Sequence, residues 1–164
     1  MDYNSIASSY NELHSEEQLK KLHLIKDYLK EHNIDLKNKK ILDLGSGTGI
    51  STKFFNETTI GLEPSSEMIS QGNYLALQGN AESIPLKDKS FDVITCLTAI
   101  HNFKNPEKSI KEMHRVLKEK NLVIITILKR SANLEKILAL VKSHFKITDE
   151  IDEDKDIILI SNNL

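Results

Sequence analysis

Residues 41–49 read Ile41-Leu42-Asp43-Leu44-Gly45-Ser46-Gly47-Thr48-Gly49. The first four, entered from Lys40, form a short apolar run broken by one acid, the pattern of a buried strand. The next five place glycine at every second position. Glycine removes side chains where backbone must turn tightly and approach a ligand closely. The chain holds 6 glycines, and half of them fall here. A glycine-rich surface turn is the competing reading, but this concentration directly behind a buried strand favours a binding loop.

Outward from that stretch, strands and helices alternate. Upstream, Leu19, Leu22, Ile25 and Leu29 recur at helical spacing and predict an amphipathic helix over 16–32, with 1–15 a loop or short helix. Downstream, helices are expected over 49–56, 65–72 (capped by Ser65 or Ser66), 106–118 and 133–143. Strands are expected over 58–62, 75–78, 91–97 and 121–127, the last apolar enough to be buried on both faces. Residues 145–148 and 157–161 read as a closing hairpin around an acidic turn, Asp149 to Asp156, which keeps that turn soluble and unpaired. Such alternation predicts an α/β fold with a mostly parallel, doubly wound sheet and right-handed crossovers. Ligands of such sheets bind outside the carboxyl ends of the strands.

Length and charge narrow the function. A chain of 164 residues reads as one domain, and 39% hydrophobic with 28% charged residues is a globular composition. A net charge of −2 and only two arginines, Arg115 and Arg130, exclude a protein that coats nucleic acid by charge, and nothing points to DNA. The basic clusters Lys37-Lys39-Lys40 and Lys129-Arg130 read as solvated faces, with RNA contact as the lesser reading. The single cysteine, Cys96, permits no internal disulfide. The longest apolar run, 122–128, is far too short to span a bilayer, and no leader pattern opens the sequence, so a cytoplasmic location is expected.

The glycine loop fails two phosphate patterns. In G-x-G-x-x-G counted from Gly45, the third glycine falls on Ile50, and a P-loop would need a lysine before Ser51. Asp43 instead places a carboxylate two positions before the first glycine, where it repels phosphate and suits an ammonium or sulfonium group. Glu63, at the end of the next strand and 18 residues after Gly45, is placed to accept hydrogen bonds from ribose hydroxyls.

Four segments in register, ILDLGSGTG (41–49), GLEPSSEMI (61–69), GNAESIPLKDKSFDVI (79–94) and HRVLK (114–118), resemble the class I S-adenosylmethionine-dependent methyltransferases, in particular the type 11 group related to quinone-biosynthesis methyltransferases. The resemblance implies a three-layer, Rossmann-like, seven-stranded sheet with an antiparallel C-terminal hairpin strand. It implies one domain over 1–164, with a helical segment or lid over 1–35 and a core over 39–164, and S-adenosyl-L-methionine as cofactor. Carried over residue by residue, Asp43, Gly45, Ser46 and Gly47 would hold the methionine moiety, with Gly49 opening the helix. Glu63, followed by Pro64, would take the ribose diol. Asn80, Ala81 and Glu82 would lie along the adenine; relatives often carry Asp-Ala where this chain has Asn80-Ala81, and the asparagine oxygen can still accept from the adenine amino group. Cys96, Leu97 and Thr98 would line the reactive end, although for Cys96 simple packing competes. Tyr10, in the segment 3–11, resembles the part of the family that folds over the cofactor and is a candidate for both binding and catalysis; a core aromatic is the competing reading.

Methyl transfer is an in-line displacement in which positioning does most of the work. A base is needed only where the acceptor must lose a proton, and His101, just beyond the fourth strand, is the candidate base or substrate contact. A capping or packing histidine is the competing reading. The other histidines show no metal-ligand spacing, so no metal is expected. Relatives acting on small molecules often insert a cap after the fifth strand, whereas here 128–132 is the only connection. An open site suits a large acceptor, RNA or protein, or an activating partner subunit that completes it. A small-molecule enzyme closed by its N-terminal segment and an S-adenosylmethionine-binding scaffold without its own activity are the alternatives; Ile50 and Asp43 disfavour a nicotinamide oxidoreductase.

Overall fold

A computed structural model describes the backbone from Tyr3 and the side chains from Glu12 to Leu164. The first described element is α1 (Tyr3–Glu31), a single helix that takes in most of the segment expected to be a separate loop or short helix. No glycine or proline interrupts residues 3–31, so nothing in the sequence stops the helix. Among its described side chains Lys21, Leu22, Ile25, Tyr28 and Leu29 are buried, while Leu19, expected inward, is 41% exposed.

The order then runs β1 (Ile41–Leu44), α2 (Ile50–Phe55), β2 (Ile60–Glu63), α3 (Ser66–Gln71), β3 (Ala76–Gln78), β4 (Phe91–Leu97), a 3₁₀ turn (Ile100–Asn102), α4 (Pro106–Val116), β5 (Leu117–Leu128), α5 (Leu134–His144), β6 (Asp149–Asp152) and β7 (Asp156–Asn162). They form a seven-stranded sheet in the order β3-β2-β1-β4-β5-β7-β6. All pairings from β3 to β5 are parallel, and β7 runs antiparallel to both β5 and β6. The expected α/β, doubly wound architecture is therefore present. Its winding reverses between β1 and β4, which opens a crevice at their carboxyl ends.

Period-two alternation divides the core into two layers. Leu42, Leu44, Ile94 and Cys96 face one cluster with Ile110, Met113, Val116 and Val141 of α4 and α5. Ile41, Val93 and Leu97 face the other, with Leu22, Ile25 and Leu29 of α1 and Ile50 and Phe54 of α2.

Two boundaries differ from the expected ones. α4 ends at Val116 because Leu117 turns extended and pairs with Phe91, so helix passes into strand without a loop. The acidic stretch is not an unpaired turn. Its first half is the edge strand β6, whose Ile151 packs on the α1 layer, and its charges find partners. The Tyr28 hydroxyl donates to Asp149 at 2.5 Å, Glu150 pairs with Lys142 at 2.7 Å, and Asp152 pairs with Lys129. Carboxylates on an edge strand also discourage sheet-to-sheet association. No helix among the described residues is long and apolar enough to cross a membrane.

Candidate functional site

The glycine loop turns over the end of β2. The amides of Gly45 and Ser46 donate to the Leu62 carbonyl at 2.8 and 3.2 Å, and that of Gly47 donates to Glu63 Oε2 at 3.0 Å. Gly45 has φ +69°, and a Cβ there would lie 2.5 Å from the Cβ of Ala99. Beneath the loop sits a residue that pattern reading passed over, Tyr74. Its hydroxyl donates to the Gly47 carbonyl at 2.6 Å and lies 3.1 Å from Ser46 Oγ. Its ring fills the space beside Gly49, Gly61 and Gly72, where added Cβ atoms would come within 2.2, 2.6 and 2.7 Å of ring carbons. Those three glycines are the signal that was legible: small residues spread over three elements imply one large neighbour. Burial pushes the Tyr74 hydroxyl above its ordinary range, so it stays a donor.

Asp43 is 1% exposed and does not line the cavity above the loop. Alternation aims it into the layer of α2, where Oδ2 accepts from Ser51 at 2.6 Å and Thr52 at 2.8 Å, and Oδ1 accepts from Thr95 at 2.8 Å. Burial raises its carboxyl above the usual range while the three hydroxyls pull it back. Direct contact with a ligand is thus corrected to a supporting role, fastening β1, α2 and β4 under the loop. Glu63, 8% exposed, does reach the cavity; Oε2 accepts from Gly47 and Oε1 from the Ser65 amide at 3.0 Å. Ser65 also caps α3, accepting from Met68 at 3.2 Å.

The cavity holds about 640 Å³ and is walled by Gly45, Ser46, Gly47, Glu63, Pro64, Leu97, Thr98, Ala99 and Phe103, with His14, Ser15 and Gln18 of α1 on one side. His14 and Glu63 are the only ionisable side chains on its described wall, and no lysine or arginine lines it. Leu97 and Pro64 line this cavity. Cys96 does not: it is fully buried in the opposite layer, because neighbouring strand residues point to opposite faces, and burial pushes its thiol far above the ordinary range. Gly49 stands behind the wall at the N-cap of α2. Asn80 is exposed, Ala81 packs in the core, and Glu82 accepts from the Asn105 amide at 3.1 Å at the start of α4, so these three do not line the cavity. The Tyr10 side chain lies outside the described residues.

Beyond the end of β4 the site changes character. Thr98 has φ +54°, a strained conformation for a β-branched residue. Its hydroxyl donates to Asp156 Oδ2 at 2.7 Å and accepts from Lys21 Nζ at 2.5 Å, while its amide donates to Thr126 Oγ1 at 2.8 Å. Lys21 and Asp156 form an ion pair at 2.5 Å with side chains only 5% and 1% exposed. His101 stands three residues further on. It lines a separate groove of about 700 Å³ between the 3₁₀ turn and α5, and Phe103 is a wall residue of both spaces. Burial lowers the His101 imidazole below its usual range, the Asp156 charge partly restores it, and the Lys21 charge lowers it again.

Comparison with known proteins places this architecture. The profile of the methyltransferase-domain family matches residues 42–125. An uncharacterised methyltransferase of Bacillus subtilis, YcgJ, is 36% identical over 93 residues, covering 49% of this chain and 37% of that protein. A demethylmenaquinone methyltransferase of Thermotoga maritima is 32% identical over 104 residues, covering 56% of this chain and 44% of its own. The chain spans less than half the length of either relative. The crystal structure of the PH0226 protein from Pyrococcus horikoshii shares the fold, with a TM-score of 0.73, 20% identity and 91% of each chain covered.

Proposed function

This chain belongs to the methyltransferase-domain family, and from that premise we propose that it binds S-adenosylmethionine above β1, β2 and β4 and transfers the methyl group to an acceptor. The residues present fit that cofactor. The cavity volume lies in the range of small-ligand sites. The amides of Gly45, Ser46, Gly47 and Gly49 all donate inward to protein oxygens. These four amides are therefore not free to form the anion nest that holds phosphate. Among the described residues no lysine or arginine lines the wall, so a pyrophosphate would meet the Glu63 carboxylate without the basic side chains that ordinarily hold it. A phosphate-free nucleoside carrying a positive sulfur suits this surface.

Glu63 is the observation that carries the reading. A carboxylate offers about four lone-pair sites. Two backbone amides occupy one site on each oxygen, which leaves one on each for the two hydroxyls of a ribose. When bound, S-adenosylmethionine supplies a methyl group on a positively charged sulfur that departs as a neutral thioether. Leu97, Thr98, Ala99 and Phe103 wall the cavity beyond the end of β4, where an acceptor would be aligned with the methyl group. Asp43 and Tyr74 keep the loop in place from beneath. Tyr10, in the segment expected to fold over the cofactor, is kept as a candidate for binding and catalysis, and His101, from the neighbouring groove, is assigned to the acceptor side.

Transfer of labelled methyl from S-adenosylmethionine to fractionated RNA, protein and small molecules tests the reading and identifies the acceptor class. Label in one fraction is the expected result, and parallel reactions supplemented with cell extract test whether an activating partner subunit completes the site. Absence of label from every fraction in both reactions overturns the catalytic reading and leaves a binding scaffold.

A further inference from the structure

Among the described residues, two buried side-chain polar atoms have no hydrogen-bond partner, His101 Nδ1 and Asp156 Oδ1. Each such atom is costly, because burial removes water without replacing it. They are also complementary, one able to donate and the other only to accept. Both belong to the same corner of the molecule: Asp156 is held by Thr98, three residues before His101, and its charge acts on the His101 ring.

We propose that Asp156 is a positioning residue for His101. Its Oδ1, through one bridging water, holds the imidazole proton on Nδ1 and leaves Nε2 bare toward the groove between the 3₁₀ turn and α5, ready to take a proton from the methyl acceptor.

The other atoms of the corner fix this orientation. Oδ2 is engaged by Lys21 and Thr98, so the carboxylate cannot rotate away without breaking a buried ion pair and a hydrogen bond. His101 is half-buried with Nδ1 inaccessible, so its accessible edge is the one that lines the groove. Burial disfavours the imidazolium, which keeps the ring neutral and able to accept a proton. The charged groups that act on the ring or line its groove are Lys21 of α1, Asp156 of β7, Lys104 just before α4, Glu107 in the first turn of α4 and Lys136 of α5.

This assignment selects the acceptor chemistry, a step that rests on the methyl-transfer reading. The acceptor's lone pair forms the bond to the methyl carbon, the carbon–sulfur electron pair stays on sulfur, and the displaced proton passes to His101 Nε2 and then to solvent. A base in that position serves acceptors that must shed a proton, a hydroxyl, an N–H or an activated C–H. It has no task with a sulfide or a tertiary amine.

Long-range ¹H–¹⁵N NMR of the full chain, with the His101 signals assigned by their loss in His101→Gln, reads the tautomer without cofactor or acceptor. The expected spectrum shows protonated Nδ1 and bare Nε2, and Lys21→Met/Asp156→Leu, which removes the acceptor together with its ion-pair partner, moves the ring toward the Nε2–H form of free imidazole. An Nε2–H or mixed spectrum in the unmutated chain overturns the proposal, even if the double variant does not fold. Persistence of the Nδ1–H form in a folded double variant overturns it as well. Failure of S-adenosylmethionine to bind would leave this spectrum untouched, so the two readings fail separately.

Discussion

The two ends of the cavity are built on opposite principles. Around the glycine loop, backbone does the work: amides donate inward, a tyrosine ring replaces three absent Cβ atoms, and the buried carboxylates Asp43 and Glu63 accept a hydrogen bond at every oxygen. Past β4, charged side chains do it: a buried Lys21–Asp156 pair, a threonine in a left-handed turn, and two polar atoms without partners. A surface with its internal hydrogen bonds complete is pre-organised, which suits a ligand of fixed shape. An incompletely satisfied corner stores cost that a proton transfer can use. The contrast separates holding a cofactor from acting on an acceptor.

Substitutions sharpen or break that contrast. Lys21→Met should have the largest effect, because it leaves Asp156 charged, 1% exposed and unpaired; urea unfolding should show a loss of about 3–5 kcal/mol. Lys21→Met/Asp156→Leu should recover much of that loss, and a single-variant cost below about 1 kcal/mol would mean that the pair is not structurally important. Gly49→Ala adds a Cβ 2.2 Å from the Tyr74 ring at φ +83° and should cost about 2–3 kcal/mol of stability. The cost should shrink in a Tyr74→Ala background, and an additive double-mutant cycle would refute the proposed packing role of the ring. Glu63→Gln should weaken S-adenosylmethionine binding by about 1–3 kcal/mol in calorimetry while changing the unfolding midpoint less.

The smallest effect is a pH slope. His101 and His114 are both lowered in the folded chain, mainly by burial, so the unfolded chain takes up their protons first as pH falls. Stability should therefore decline on acidification from about pH 6.5, the ordinary histidine value, toward the lowered folded values. His101→Gln should flatten that slope without abolishing it, since His114 still contributes. An unchanged slope would show that His101 titrates alike in both states.

What the sequence disclosed follows the same divide. The glycine loop, Glu63 and the alternation of elements are local patterns, written in neighbouring residues, and they led to the fold and to one end of the cavity. Asp43 was visible as an acid, but its direction is set by β1 pairing with β4 at Thr95, and only the sheet brings that pair together. Cys96 was read at the strand end without its parity, which sends it into the opposite layer from Leu97. The charged corner was invisible because its members are far apart, with 77 positions between Lys21 and Thr98 and 58 between Thr98 and Asp156. Asp156 in particular was hidden among the acids of an expected solvated turn.

Calorimetric titration of the purified chain with S-adenosylmethionine, and separately with NAD, tests the central claim most directly. One-site binding of S-adenosylmethionine that weakens in Glu63→Gln, with no heat from NAD, is the predicted result. Binding of NAD without S-adenosylmethionine, or an affinity indifferent to Glu63, would contradict the assignment of the cavity.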